Sequence, residues 1–145
     1  MRLLPILFIM SSFLMGYSQE WQTDFEEATT LAARDHRNIV LVFQGSDWCA
    51  PCMKLEKEIW ESSEFKSYAE AHFILLKADF PRKKKNQLST SQQERNNRLA
   101  EKYNQEGYFP LVVILNPDGE VLGKTGYKEV TPGEYINLLE NLETS

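Results

Sequence analysis

The chain has 145 residues, 42% of them hydrophobic, which is enough for one domain with a proper core and too little for a second independent one. Its 16 basic residues against 21 acidic ones leave a formal net charge of -5, so there is no global electrostatic case for nucleic acid. Small molecules or other proteins are the better partners.

Arg2 supplies a short positive region, and LLPILFIMSSFLM (Leu3 to Met15) is apolar apart from two serines. Small residues follow at Gly16 and Ser18, and the chain then turns polar at QEWQTDFEE. This is the pattern of a secretory signal peptide, residues 1–18, cleaved after Ser18. An uncleaved anchor is disfavoured because the apolar run falls short of the roughly 20 residues that span a bilayer. The mature domain is expected at 19–145, secreted or periplasmic.

In the mature chain, DFEEATTLAARDHR (Asp24 to Arg37) places Phe25, Ala28, Leu31 and Ala32 on one helical face, with acids in the first turn and bases in the last. NIVLVFQG (Asn38 to Gly45) is a continuous β-branched and apolar run, as in a parallel strand buried on both faces. CMKLEKEIWESSEFKSYAEAH predicts a helix interrupted near Ser62 and Ser63, and FILLKADF (Phe73 to Phe80) predicts a second strand. PRKKKNQLSTSQQERNN carries four consecutive bases from Arg82 to Lys85 and reads first as a solvated loop, with a docking surface for an acidic partner as the alternative.

ERNNRLAEKYN (Glu94 to Asn104) predicts a helix with Leu99, Ala100 and Tyr103 inward. In YFPLVVILNPDGEVLGKTGY two apolar runs flank the turn signal NPDG, which predicts a β-hairpin. TPGEYINLLENLE predicts a last helix, capped by Thr131 with Pro132 at its first position. The order implies an α/β domain: a central mixed β-sheet flanked by helices on both faces.

Cys49 and Cys52 are the only cysteines, in SDWCAPCMK at the junction of a buried strand and a helix. A structural staple is disfavoured, since so small a loop constrains the unfolded chain little. Structural zinc needs more ligands than this pair, and His36 and His72 are isolated in the sequence. The remaining reading is redox exchange. At a helix start, unpaired N–H groups favour a Cys49 thiolate, and C-x-x-C contexts lower the thiol pKa from about 8.5 to about 3.5–7.5. Cys52 lies almost one turn on, within disulfide reach, so Cys49 can attack a substrate disulfide and Cys52 can resolve the mixed disulfide. Pro51 between them fits a first helical turn, and Trp48 offers an apolar body that either packs at the strand end or meets substrate.

DWCAPC resembles the active centre of the thioredoxin superfamily, W-C-G-P-C, with Ala50 in place of glycine, and the likeness in element order runs from about residue 24 to 143. Pro110 in GYFPLVVIL stands where the family carries a cis-proline facing the cysteines. The resemblance implies a thioredoxin-like fold, a cis Phe109–Pro110 bond, and a substrate surface formed by Trp48, Ala50, Pro51, Phe109 and Pro110. It also implies thiol:disulfide exchange with disulfide-containing proteins, by a monomer supplied by a thiol donor such as a membrane reductase. No cofactor or metal is expected.

One departure concerns the buried acid that thioredoxin carries six positions before the nucleophile, where this chain has Phe43. Asp47 and Glu56 are the nearest candidates for part of that role, although both read as solvent-facing. A non-catalytic binding module with an inert disulfide, and a peroxidase-like thiol, are the rival functions.

Overall fold

Alternating side chains along one central strand divide the core into two layers. The computed structural model describes residues 20–145, and the expected signal peptide lies outside the described residues. In chain order the elements are β1 (Trp21–Gln22), α1 (Phe25–Asp35), β2 (Asn38–Gln44), α2 (Ala50–Leu55) with a π-helical turn at Glu56–Trp60, and α3 (Ser63–His72). There follow β3 (Phe73–Asp79), a 3-10 turn at Lys84–Asn86, α4 (Thr90–Tyr103), β4 (Leu111–Leu115), β5 (Val121–Thr125) and α5 (Pro132–Thr144).

The five strands form one sheet in the order β1-β3-β2-β4-β5. β2 pairs in parallel with β3, from Asn38 opposite Phe73 to Gln44 opposite Asp79, and antiparallel with β4. Because successive strand residues point to opposite faces, Ile39, Leu41 and Phe43 pack with Ala28 and Ala32 of α1 and Leu99 and Tyr103 of α4. Val40 and Val42 pack on the other face with Leu55, Ile59 and Trp60, Phe65 of α3, and Tyr135 and Leu139 of α5. The structure is the α/β, thioredoxin-like arrangement expected from the sequence, with helices on both faces.

Helix boundaries follow their caps. Asp24 accepts the Glu27 N–H at 3.1 Å to start α1, and His36 ends it in the left-handed conformation at φ 53°. Ser62 accepts the Phe65 N–H, which places the expected interruption between the π-helical turn and α3. Thr131 and Glu134 form a reciprocal capping box, with Pro132 inside the first turn of α5. NPDG closes the hairpin, where Gly119 has φ 81° and its carbonyl accepts the Tyr103 hydroxyl at 2.6 Å.

Two elements differ from expectation. β1 pairs only Trp21 with Leu75 and Gln22 with Leu76, too short to leave a periodic signal. α4 starts at Thr90 rather than near Glu94, because Ser89 caps it by accepting the Gln92 N–H. The added residues, Thr90–Gln93, are all polar, and so is the first buried position of the helix. Asn96, 1% exposed, donates its Nδ2 to the Asp79 carbonyl at 2.9 Å and accepts from Gln92 at 2.8 Å.

That bond fixes α4 to the end of β3, where the chain leaves for Phe80 and the basic turn. Asn96→Ala leaves the Asp79 carbonyl without this donor and is expected to cost about 1–3 kcal/mol in urea unfolding. Unchanged stability would show that α4 is held by its apolar contacts alone.

Candidate active site

Gln44 ends β2, and the chain turns at Gly45, whose carbonyl accepts the Cys49 N–H at 2.9 Å and the Trp48 N–H at 3.3 Å. Cys49 is the N-cap of α2, with extended backbone, and its Sγ accepts the Cys52 N–H at 3.3 Å. Cys52 sits inside the first turn, joined to Cys49 by a disulfide with a Cα–Cα separation of 5.2 Å. Pro51 lies between them, where a missing N–H leaves no helical bond unmade. Both cysteines are buried while Ala50 and Pro51 are exposed.

Trp48 binds this turn to two other segments, Phe80–Arg82 and the Pro110 loop. Its Nε1–H donates to the Phe80 carbonyl at 2.7 Å just past β3, and its ring meets Phe109 edge-on at 5.4 Å. The Arg82 guanidinium lies 3.7 Å over the indole, in cation–π contact. Gly45 makes room for the ring, since a Cβ there would overlap the indole. The Phe109–Pro110 bond is cis, in agreement with the expectation from the resemblance. The contact with Trp48 brings Phe109 and the Pro110 loop alongside the cysteine turn. An open groove of about 650 Å³ runs between Trp48, Phe80, Arg82 and Phe109. A second hollow of about 470 Å³, on the other flank of Phe109, is lined by Tyr108, Pro110 and Gly126.

A family model described as thioredoxin-like matches residues 20–117. The chain belongs to the thioredoxin-like family. It is 33% identical over 122 residues to the disulfide bond reductase DsbH of Chlamydia pneumoniae, covering 84% of this chain and 71% of that protein. A solved DsbH oxidoreductase structure superposes with a TM-score of 0.80 at 31% identity, over 88% of this chain and 85% of that one. A disulphide isomerase from Xylella fastidiosa Temecula1 superposes with a TM-score of 0.53 at 25% identity, over 79% and 76% of the respective chains. With its cysteine pair at bonding distance, this thioredoxin-like chain is a thiol:disulfide oxidoreductase.

The acidic residues around the thioredoxin-like centre have separate duties. Asp47, two positions before Cys49, accepts the Arg82 and Lys83 main-chain N–H groups at 2.9 and 3.0 Å and the Asn86 amide at 3.0 Å. The Arg82 N–H and the Asn86 amide hold its carboxyl down to about 2, with a smaller contribution from Lys83. So strongly engaged a carboxylate is a poor proton acceptor for Cys52, which removes Asp47 from that role. Asp79 is likewise committed, accepting the Ser46 N–H and hydroxyl at 2.9 and 2.6 Å.

Counting residues places Phe43 where the family acid would stand, but the strand alternation turns its ring toward α1 and α4, the layer opposite the cysteine helix. The β2 residue that shares a cavity with Cys52 is Gln44. That cavity, of about 550 Å³, is also lined by Glu56 and Lys77, which pair at 3.4 Å. Glu56 thus faces the Cys52 side rather than open solvent alone. The histidines lie elsewhere: His36 caps α1 and His72 pairs with Glu143 at 3.1 Å. Among the described residues, no three His, Cys, Asp or Glu side chains are grouped to hold a metal.

Gln44, Lys77, Phe80 and Arg82 lie around the cysteine turn, where the sequence reading did not place them. Lys77 and Gln44 were legible only as polar interruptions in strand-forming runs, and Arg82 as part of a basic run.

Folding holds the Asp47 carboxyl below its ordinary value of about 3.9, so its contribution to stability is complete above that value and is lost as the pH falls through about 2. The difference in urea stability between wild type and Asp47→Asn is therefore expected to shrink across this window. A difference that stays constant between about pH 5 and about pH 2 would mean that Asp47 does not anchor the turn as a carboxylate.

Proposed function

We propose that the protein is an exported disulfide reductase in which Cys49 is the nucleophile and Cys52 the resolving thiol. The observation that carries this reading is the position of Cys49 as N-cap of α2, with its sulfur receiving the Cys52 N–H. In the reduced protein, that donor and the positive end of the helix stabilise a thiolate on Cys49. Cys52, inside the turn, is placed to attack Cys49 and nothing farther away.

The Cys49 thiolate attacks one sulfur of a substrate disulfide, forming the Cys49–substrate bond as the substrate S–S bond breaks. The departing substrate thiolate takes up a proton. The Cys52 thiol then loses its proton, attacks the Cys49 sulfur, forms the intramolecular disulfide and expels the second substrate thiolate, which is protonated in turn. Two electrons pass from the protein dithiol to the substrate. A dithiol donor restores Cys49 and Cys52 to the reduced state by the reverse exchange.

The reductive direction is supported by the similarity to a protein named as a disulfide bond reductase and by the thioredoxin-like W-C-x-P-C centre. The substrates are disulfide-containing proteins, held against Trp48, Ala50, Pro51, Phe109 and Pro110. The main chain of Phe109 makes none of the loop hydrogen bonds found among the described residues and is open to an extended segment. The signal-peptide pattern supports a secreted or periplasmic location, and the reading takes the protein as a monomer with a thiol donor such as a membrane reductase. Among the described residues, no helix is long and apolar enough to cross a membrane.

Reduction of insulin disulfides with a dithiol donor is expected for wild type and is expected to be lost in Cys49→Ser. Wild type no faster than that variant would end the enzymatic reading. In the reduced protein, alkylation of Cys49 followed against pH is expected to show a midpoint below the ordinary thiol value of about 8.5. A midpoint at that value would contradict activation by the helix start.

A further inference from the structure

The basic run Arg82–Lys85 is held in a defined place rather than left to solvent. Asp47 fixes it through the Arg82 and Lys83 main-chain N–H groups and the Asn86 amide. The Asn86 N–H closes the turn onto the Lys83 carbonyl at 3.0 Å, and the Arg82 guanidinium stacks on Trp48. The two residues immediately preceding the nucleophile thus both grip this turn.

The charges themselves are left over. Asp47 spends its oxygens on main-chain and amide N–H groups, and among the described residues no carboxylate lies within 4.0 Å of the cationic group of Arg82, Lys83, Lys84 or Lys85. All four residues are exposed. Four adjacent like charges repel one another, and this cluster stands out in a chain whose net charge is -5. Arg82 also forms a wall of the groove between Trp48 and Phe109. A polypeptide crossing that groove toward Cys49 passes the basic turn.

We propose that the Arg82–Lys85 turn is a docking surface for acidic residues flanking the disulfide of a polypeptide substrate, a substrate class for the reductase reading above, on which this inference rests. Recognition is electrostatic with a local reach, because the Debye length at physiological ionic strength is about 8 Å. Acids far along the substrate chain do not contribute; those lying in or beside the groove do.

The test compares two disulfide-bonded peptides that differ only in their flanks, Asp and Glu in one and Ser and Gln in the other, both reduced with a dithiol donor. Wild type is expected to show roughly tenfold higher kcat/KM for the acidic peptide, a preference that fades as salt is raised. Lys83→Ser, Lys84→Ser and Lys85→Ser together are expected to abolish the preference, and Lys83→Glu, Lys84→Glu and Lys85→Glu to invert it. Asp47 holds main-chain groups at Arg82 and Lys83, so these exposed side chains can change without loss of that anchor.

Equal rates for the two peptides with wild type would overturn the docking proposal while leaving the reductase reading intact. Reduction of neither peptide would overturn both. Equal rates together with sedimentation on anionic lipid vesicles that the serine variant abolishes would assign the bases to a membrane surface and overturn the proposal.

Discussion

The indole of Trp48 is the contact on which the site's geometry depends. It reaches the end of β3 through the Phe80 carbonyl, the Pro110 loop through Phe109, and the basic turn through Arg82. Each contact is worth on the order of 1 kcal/mol. Their importance is geometric: two segments distant in sequence, Phe80–Arg82 and the Pro110 loop, meet at the residue that precedes Cys49. The ring fits there because Gly45 has no side chain to oppose it. The same ring that packs at the strand end also forms a wall of the groove.

Behind this contact stands the buried sheet. β2 is covered on both faces by apolar layers, so its C-terminal end is fixed, and the turn from Gly45 to Cys49 starts from a rigid point. Two main-chain bonds to the Gly45 carbonyl aim the chain into α2. The nearby acids Asp47 and Asp79 then hold N–H groups and a serine hydroxyl, which makes them structural. Two acids, Glu56 and Glu61, share a cavity with Cys52, and Glu56 is the one paired with Lys77. The titratable groups that line the Cys52 cavity are therefore Glu56, Glu61, Lys57 and Lys77.

Much of this was legible in the chain itself. Asn38–Gln44 and Phe73–Asp79 are apolar enough to announce buried parallel strands, and caps such as Asp24 and Thr131 carry their own hydrogen-bonding chemistry. The cysteine turn was readable because strand, C-x-x-C and helix follow one another without a gap. The first turn of α4, Thr90–Gln93, was hidden because it is wholly polar, and the first buried position after it, Asn96, bonds a strand carbonyl instead of extending the apolar stripe. Counting back from Cys49 selected Phe43 correctly by number, yet which face a strand residue occupies depends on register, and the register turns Phe43 away. The basic run gave no hint of Asp47, because that partner is 35 positions distant from Arg82 and binds main chain rather than charge.

The central claim is that Cys49 attacks and Cys52 resolves, and trapping of the covalent intermediate tests it most directly. Reduced Cys52→Ser incubated with a disulfide-containing protein should accumulate a substrate adduct on Cys49, identified by mass spectrometry and released by excess dithiol. Cys49→Ser should accumulate none. An adduct formed through Cys52 in Cys49→Ser, with none through Cys49 in Cys52→Ser, would contradict the account.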